Sequence, residues 1–116
     1  MKRRLKIAFF GSSLVSAYWN GAATYYRGLL RALAERGHQI TFYEPDAFGR
    51  QEHRDMEDPT WAQVVVYPAE SEAQVARAVE QARGADLVVK ASGVGVHDEF
   101  LERAVLDLRN SNNTTG

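Results

Sequence analysis

The chain opens with a short continuous apolar run, "LKIAFF" (5–10), which ends at a glycine and has the pattern of a buried strand. From 22 to 36 the spacing changes. Tyr26, Leu29, Leu30 and Leu33 recur at i, i+3, i+4, i+7, while Arg27, Arg31, Glu35 and Arg36 take other faces, so an amphipathic helix is expected, stopped by Gly37. "QITFYE" (39–44) predicts a second strand closed by Pro45, and 45–60 a long polar loop with room for one helical turn. "AQVVVYP" (62–68) is β-branched and predicts a third strand. In 71–84, Val75, Val79 and Ala82 form one stripe, which predicts a helix with Ser71 as N-cap and Gly84 as its stop. "ADLVVKAS" (85–92) predicts a fourth strand. In 98–109, Phe100, Leu101, Ala104, Val105 and Leu108 share a face, which predicts a last helix capped by Asp98.

Strands that are continuous apolar runs and alternate with helices imply right-handed crossovers and a parallel sheet covered on both faces. The expected fold is therefore α/β: a doubly wound, Rossmann-like parallel sheet of at least four strands, occupying 1–109. The remainder, "NSNNTTG" (110–116), is polar and low in complexity and is expected to be a disordered tail. An open α/β sheet would continue into another strand after the last helix, so the chain reads as a minimal domain or as the front part of a longer one.

Composition narrows the function classes. With 116 residues there is room for one domain, and a net charge of -1 with pI about 6.3 gives no electrostatic footprint for nucleic acid or a membrane surface. The absence of cysteine removes disulfides and thiolate metal sites and is compatible with a cytoplasmic location. His38, His53 and His97 form no ligand pair at helical spacing, so no metal is expected. The basic "MKRRLK" start resembles the head of a secretion signal, but Gly11, Ser12 and Ser13 break the apolar run. Ser16, Asn20 and Thr24 spoil a membrane span as well.

In an open parallel sheet, ligands bind outside the carboxyl ends of the strands, near the point where strand order reverses. The loops to weigh are then 11–21, 44–60, 67–71 and 91–98. The first has eleven residues, where strand-to-helix turns usually take about 2–6. Gly11 allows a tight exit from the strand, Tyr18 and Trp19 offer stacking surfaces, and Asn20 and Gly21 lead into a helix N-terminus that attracts anions. Against this stands a loop folded on its own aromatics. The stretch lacks the second and third glycines of the dinucleotide fingerprint, and without them Glu44, at the end of the second strand, reads as a polar strand end rather than a ribose ligand. In "KASGVGVHD" (90–98), Ser92, Gly93 and Gly95 form a small turn able to cradle a phosphate or a hydroxyl. Lys90 either reaches an anionic group or snorkels to the sheet edge. His97 is the candidate base or donor, against a plain capping role. No serine sits in a nucleophile elbow, and Asp55, Glu57 and Asp58 read as solvated.

The stretch "WNGAATYYRGLLRALAERGHQITFYEPD" (19–46) resembles nucleotide-sugar glycosyltransferases of the two-domain GT-B fold, of the family-four type. Leu33, Arg36, Gly37, His38 and Ile40 fit that family's Arg-Gly-His approach to the second strand. The opening and the "VVKASGVGVHDE" turn resemble a bacterial, CgeB-like branch. The resemblance implies an acceptor-side N-terminal domain, inactive in hexosyl transfer without a C-terminal Rossmann-like domain as partner. It implies a nucleotide sugar as donor, no cofactor held by this domain alone, and a small-molecule or glycan acceptor. It places Gly11, Asn20 and Gly21 at the donor or acceptor cleft, with Ser92 and His97 nearest the acceptor; joined to Ser12, Trp19, Lys90 and Gly93 from the loops themselves, these are the expected substrate and donor site, with His97 as the catalytic candidate and no metal. Many relatives carry Gly-Gly where this chain has Gly21-Ala22. A stand-alone, flavodoxin-like binding or regulatory domain is the competing expectation. An uncovered sheet edge makes a homodimer a further one.

Overall fold

The computed structural model describes residues 3–17, 22–91 and 93–113. The elements run β1 (Lys6–Phe10), α1 (Ala22–Glu35), β2 (Gln39–Pro45), a 3-10 turn (Arg50–His53), β3 (Gln63–Tyr67), α2 (Glu72–Glu80), β4 (Leu87–Lys90) and α3 (Asp98–Asn113). The strands form an all-parallel sheet in the order β3-β2-β1-β4. The chain steps outward from β1 to β2 to β3, then returns across the sheet to add β4 on the far side of β1. The strand order therefore reverses between β1 and β4, the switch point of a Rossmann-like sheet. A flavodoxin-like sheet would place its third strand beside the first; here β4 holds that place.

Alternation along β1 divides the interior into two cores. Ala8 and Phe10 face α2 and α3, joined by Tyr43, Tyr67, Val75, Val79, Val88, Leu101, Val105 and Leu108. Ile7 and Phe9 face α1, where Leu14, Tyr26, Leu30, Ile40 and Phe42 complete the packing. Helices thus cover both faces, which is why the strands read as unbroken apolar runs. Aromatic rings organise both sides: Phe10 stacks on Tyr43 at 4.6 Å between centroids, and Phe9 meets Tyr26 edge-on at 5.4 Å.

The punctuation follows the sequence. Gly37 takes φ 95°, and the amides of Gly37 and His38 bond back to the carbonyls of Ala34 and Leu33, a Schellman stop for α1. Ser71 caps α2 by accepting from the Gln74 amide at 3.3 Å. Two expectations need correction. Asp98 does not cap α3; the helix starts on the His97 carbonyl, which accepts from the Leu101 amide at 2.8 Å. The tail does not begin at 110, because α3 runs on to Asn113. Arg83 donates to the Ser111 hydroxyl at 3.1 Å, a tie between the end of α2 and the last turn of α3 that favours the continued helix. Among the described residues no helix is long and apolar enough to cross a membrane.

Leu30 is fully buried among Phe9, Tyr26 and Phe42. Leu30→Ala should cost about 2–5 kcal/mol in urea unfolding. A loss of less than about 1 kcal/mol would mean that α1 does not seal this face as described.

Candidate functional site

The candidate site lies at the carboxyl edge, where β1 and β4 leave the sheet side by side. β1 ends against β2: the Gly11 amide donates to the Tyr43 carbonyl at 3.1 Å. A Cβ on Gly11 would stand 2.6 Å from Cζ of Phe42, so the glycine makes room for a core ring. The uncharged stretch that follows turns inward. Ser12, Ser13, Leu14, Val15 and Ser16 are all buried, and Leu14 joins the core beneath α1. An unbroken set of small and apolar residues is what such a plug requires.

The plug is fastened to Glu44, a fully buried carboxylate at the end of β2. One oxygen accepts from the Ser13 hydroxyl at 2.9 Å and from Gln51 Nε2 at 2.6 Å; the other accepts from the Leu14 amide at 3.1 Å. The Ser13 hydroxyl in turn accepts from the Ser16 amide at 3.1 Å. Further ties come from Arg27, which donates to the Leu14 carbonyl at 2.7 Å and pairs with Asp55, and from the Asp55 amide, which donates to the Val15 carbonyl at 3.0 Å. The Arg27 hydrogen bond holds the Asp55 carboxyl below its usual range. Asp55 is therefore engaged, although the sequence suggested a solvated cluster.

Arg50 joins this loop to the turn after β4. It is 6% exposed, and its Nη1 donates to the Ser12 carbonyl at 2.9 Å. Its guanidinium lies 4.9 Å from the centroid of Phe48, and its Nη2 lies 3.9 Å from the position that a Cβ on Gly95 would take. Burial pulls the Arg50 guanidinium below its ordinary value, and the nearby Glu44 charge opposes that shift. The turn itself carries three positive φ angles: Gly93 at 71°, His97 at 49° and Gly95 at 98°. Asp98 braces it, accepting from the Val94 amide at 3.2 Å and pairing with Lys90 at 2.9 Å.

Of the residues singled out in the sequence, Gly11, Ser12, Lys90, Gly93 and His97 gather along this edge. Lys90 is held by Asp98 with its side chain only 9% exposed. His97 is half-buried, and its backbone starts α3. Trp19, Asn20, Gly21 and Ser92 lie outside the described residues. Sequence reasoning overlooked Arg50, Gln51 and Tyr67. Nothing in the polar stretch 45–60 marks Arg50 as buried, and Tyr67 reads as an ordinary strand residue. Among the described residues no cluster of three or more His, Asp or Glu could hold a metal ion.

The hollows found among the described residues lie elsewhere. One of about 220 Å³ opens between β1, β2 and the end of α2, lined in part by Lys6, Thr41 and Arg83. Another of about 290 Å³ lies between α2 and α3, beside Phe100 and Arg103. Both fall below the roughly 300–1,000 Å³ of ordinary ligand pockets. A third, of about 580 Å³, is a surface hollow lined by Arg54, Met56, Glu57 and Asp58.

No family model and no curated protein matches the chain. A solved structure that it does match is the "putative epimerase" of Bacteroides thetaiotaomicron, with a TM-score of 0.52 and 20% identity, over 96% of this chain and 44% of that one. The chain thus spans less than half the length of that protein, and the likeness establishes a shared fold. It overturns the resemblance to GT-B glycosyltransferases. The residues that carried that resemblance have a local explanation. Gly37 ends α1, its carbonyl accepts from Arg4 Nε at 2.7 Å, and His38 Nδ1 accepts from the Leu5 amide at 3.1 Å. Arg36, Gly37 and His38 thus sit where α1 meets the amino end of β2, at the opposite edge from the candidate site.

The two turn glycines separate strain from packing. Gly93→Ala meets open space and should cost about 1–2 kcal/mol, from its left-handed φ alone. Gly95→Ala carries the same strain and also places its Cβ 3.2 Å from the Phe48 ring, so it should cost more and should disturb Arg50. Equal urea midpoints for the two variants would show that Phe48 does not rest on this turn.

Proposed function

We propose that this chain is a Rossmann-like small-molecule-binding module of an enzyme, with its ligand outside the carboxyl ends of β1 and β4. The observation that carries this reading is the adjacency of β1 and β4 at the reversal of strand order, the position where open α/β sheets bind ligands. Arg50 supports it, because it spans the exits of both strands, from the Ser12 carbonyl to Gly95. The structural likeness to a "putative epimerase" is in keeping with an enzymatic setting.

The ligand is not held in the usual dinucleotide manner. The fingerprint's second and third glycine positions hold Ser13 and Ser16, both buried and hydrogen-bonded into the plug, which does not leave the backbone open to a pyrophosphate. The carboxylate that would bind a ribose, Glu44, already accepts from three donors. A ribose hydroxyl would have to displace one of them.

Titration of the ¹⁵N-labelled chain with AMP, UMP and NAD separates these readings. We expect the amides of 11–17 and 93–97 to move together with at least one mononucleotide, and NAD to bind no more tightly than AMP. Shifts confined to the groove between α2 and α3, or no shifts with any of the three, would overturn the reading.

A further inference from the structure

The outer groove between α2 and α3 has no part in the carboxyl-edge reading. Its floor is apolar, built from Val79 on α2 and from Phe100, Ala104 and Leu108 on α3. Phe100 and Ala104 stay partly open to solvent there, and Ala76 is exposed at the margin. The lining covers about two turns of each helix, from Ala76 to Arg83 and from Phe100 to Leu108. At about 290 Å³ the groove is small for a ligand pocket, but a seam of this form takes the side chains of an opposing helix.

The rim says what covers it. Glu80 and Arg83 stand on it from α2, Arg103 and Asp107 from α3, two charges of each sign. Such a rim favours neither an acidic nor a basic partner; it fits one that carries both signs in matching order. Glu80 and Arg83 are matched within the chain, since they pair with each other and Arg83 also donates to Ser111. Arg103 and Asp107 are exposed, and their side chains make no ion pair or hydrogen bond with any described residue. A cation four residues ahead of an acid is the less favourable order for pairing along one helix, so both charges remain available. Laid antiparallel to itself, α3 sets each against its opposite. A two-fold axis at the level of residue 105 brings Arg103 of one protomer opposite Asp107 of the partner subunit, and the reverse. The same axis brings the two copies of Leu106 together, a side chain that is 50% exposed in the single chain.

We propose that two copies of this chain dock through their α2–α3 faces, groove to groove, with reciprocal Arg103–Asp107 pairs across a two-fold axis. The sheet edge is the poorer route to a dimer. On β4 the Val88 carbonyl is already taken by Arg109 Nε at 2.7 Å, which blunts that edge against a further strand.

Sedimentation equilibrium of the full chain, from micromolar to millimolar concentration, measures the assembly. Dimer should form as concentration rises, and added salt should weaken it by screening the paired charges. Arg103→Glu sets like charges against each other twice per dimer and should weaken association about tenfold or more, as should Asp107→Arg. Arg103→Glu combined with Asp107→Arg in one chain restores both pairs with the signs exchanged, and should return the affinity to within about threefold. Ala104→Arg fills the groove floor and should abolish the dimer, its urea midpoint showing that the chain still folds. A chain that stays monomeric throughout overturns the proposal. So does a dimer indifferent to both charge reversals and to Ala104→Arg, because its interface then lies elsewhere. A double variant no tighter than either single one overturns it as well.

Discussion

A carboxylate removed from water must be matched by donors, or its desolvation penalises the fold by several kcal/mol. Glu44 imposes that constraint here. It sits at the end of β2, fully buried, and its donors come from two different segments: Ser13 and Leu14 from the loop after β1, and Gln51 from the turn after β2. Once these are in place, residues 12–16 cannot stand open as a phosphate cradle. It folds down as a plug, Leu14 enters the core, and Phe42 fills the space before Gly11. The same turn sets Arg50 across the top of β1, where it reaches the exit of β4.

The result is the strand order of a Rossmann-like sheet with a carboxyl edge closed by its own side chains. Strand order and helix placement create the crevice between β1 and β4. The groups that a dinucleotide would use there are committed to holding the structure together. Among the described residues the Arg50 guanidinium is the only buried cation bridging both strand exits, and the proposed function rests on that arrangement.

The fold was legible because its signals are local and repetitive. Leu30 and Leu33 fall at helical spacing, the β1 run is apolar on both faces, and Gly37 and Ser71 end and begin helices as their chemistry dictates. The adjacency of β1 and β4 did not follow from the order of elements, which fits a flavodoxin-like sheet with the third strand beside the first equally well. The site was less legible, since partners such as Arg50 and Ser12 lie 38 residues apart. Glu44 looked like a polar strand end until Ser13 and Gln51 were seen to surround it. The Arg-Gly-His stretch misled for the opposite reason: it is a good local signal, but for a helix stop and a backbone tie to Leu5 rather than for sugar transfer. The end of α3 was missed because Asn and Ser are weak helix formers, and the bond from Arg83 to Ser111 is not visible in the sequence.

Native-state hydrogen exchange of the Leu14 amide tests the central role of Glu44 most directly. This amide lies outside any helix or strand, and its donation to the buried carboxylate is what shields it. Its exchange should be as slow as that of the β1 amides and should open only with the core. Exchange at the rate of an exposed loop would contradict a Glu44-fastened plug and leave the carboxyl edge open.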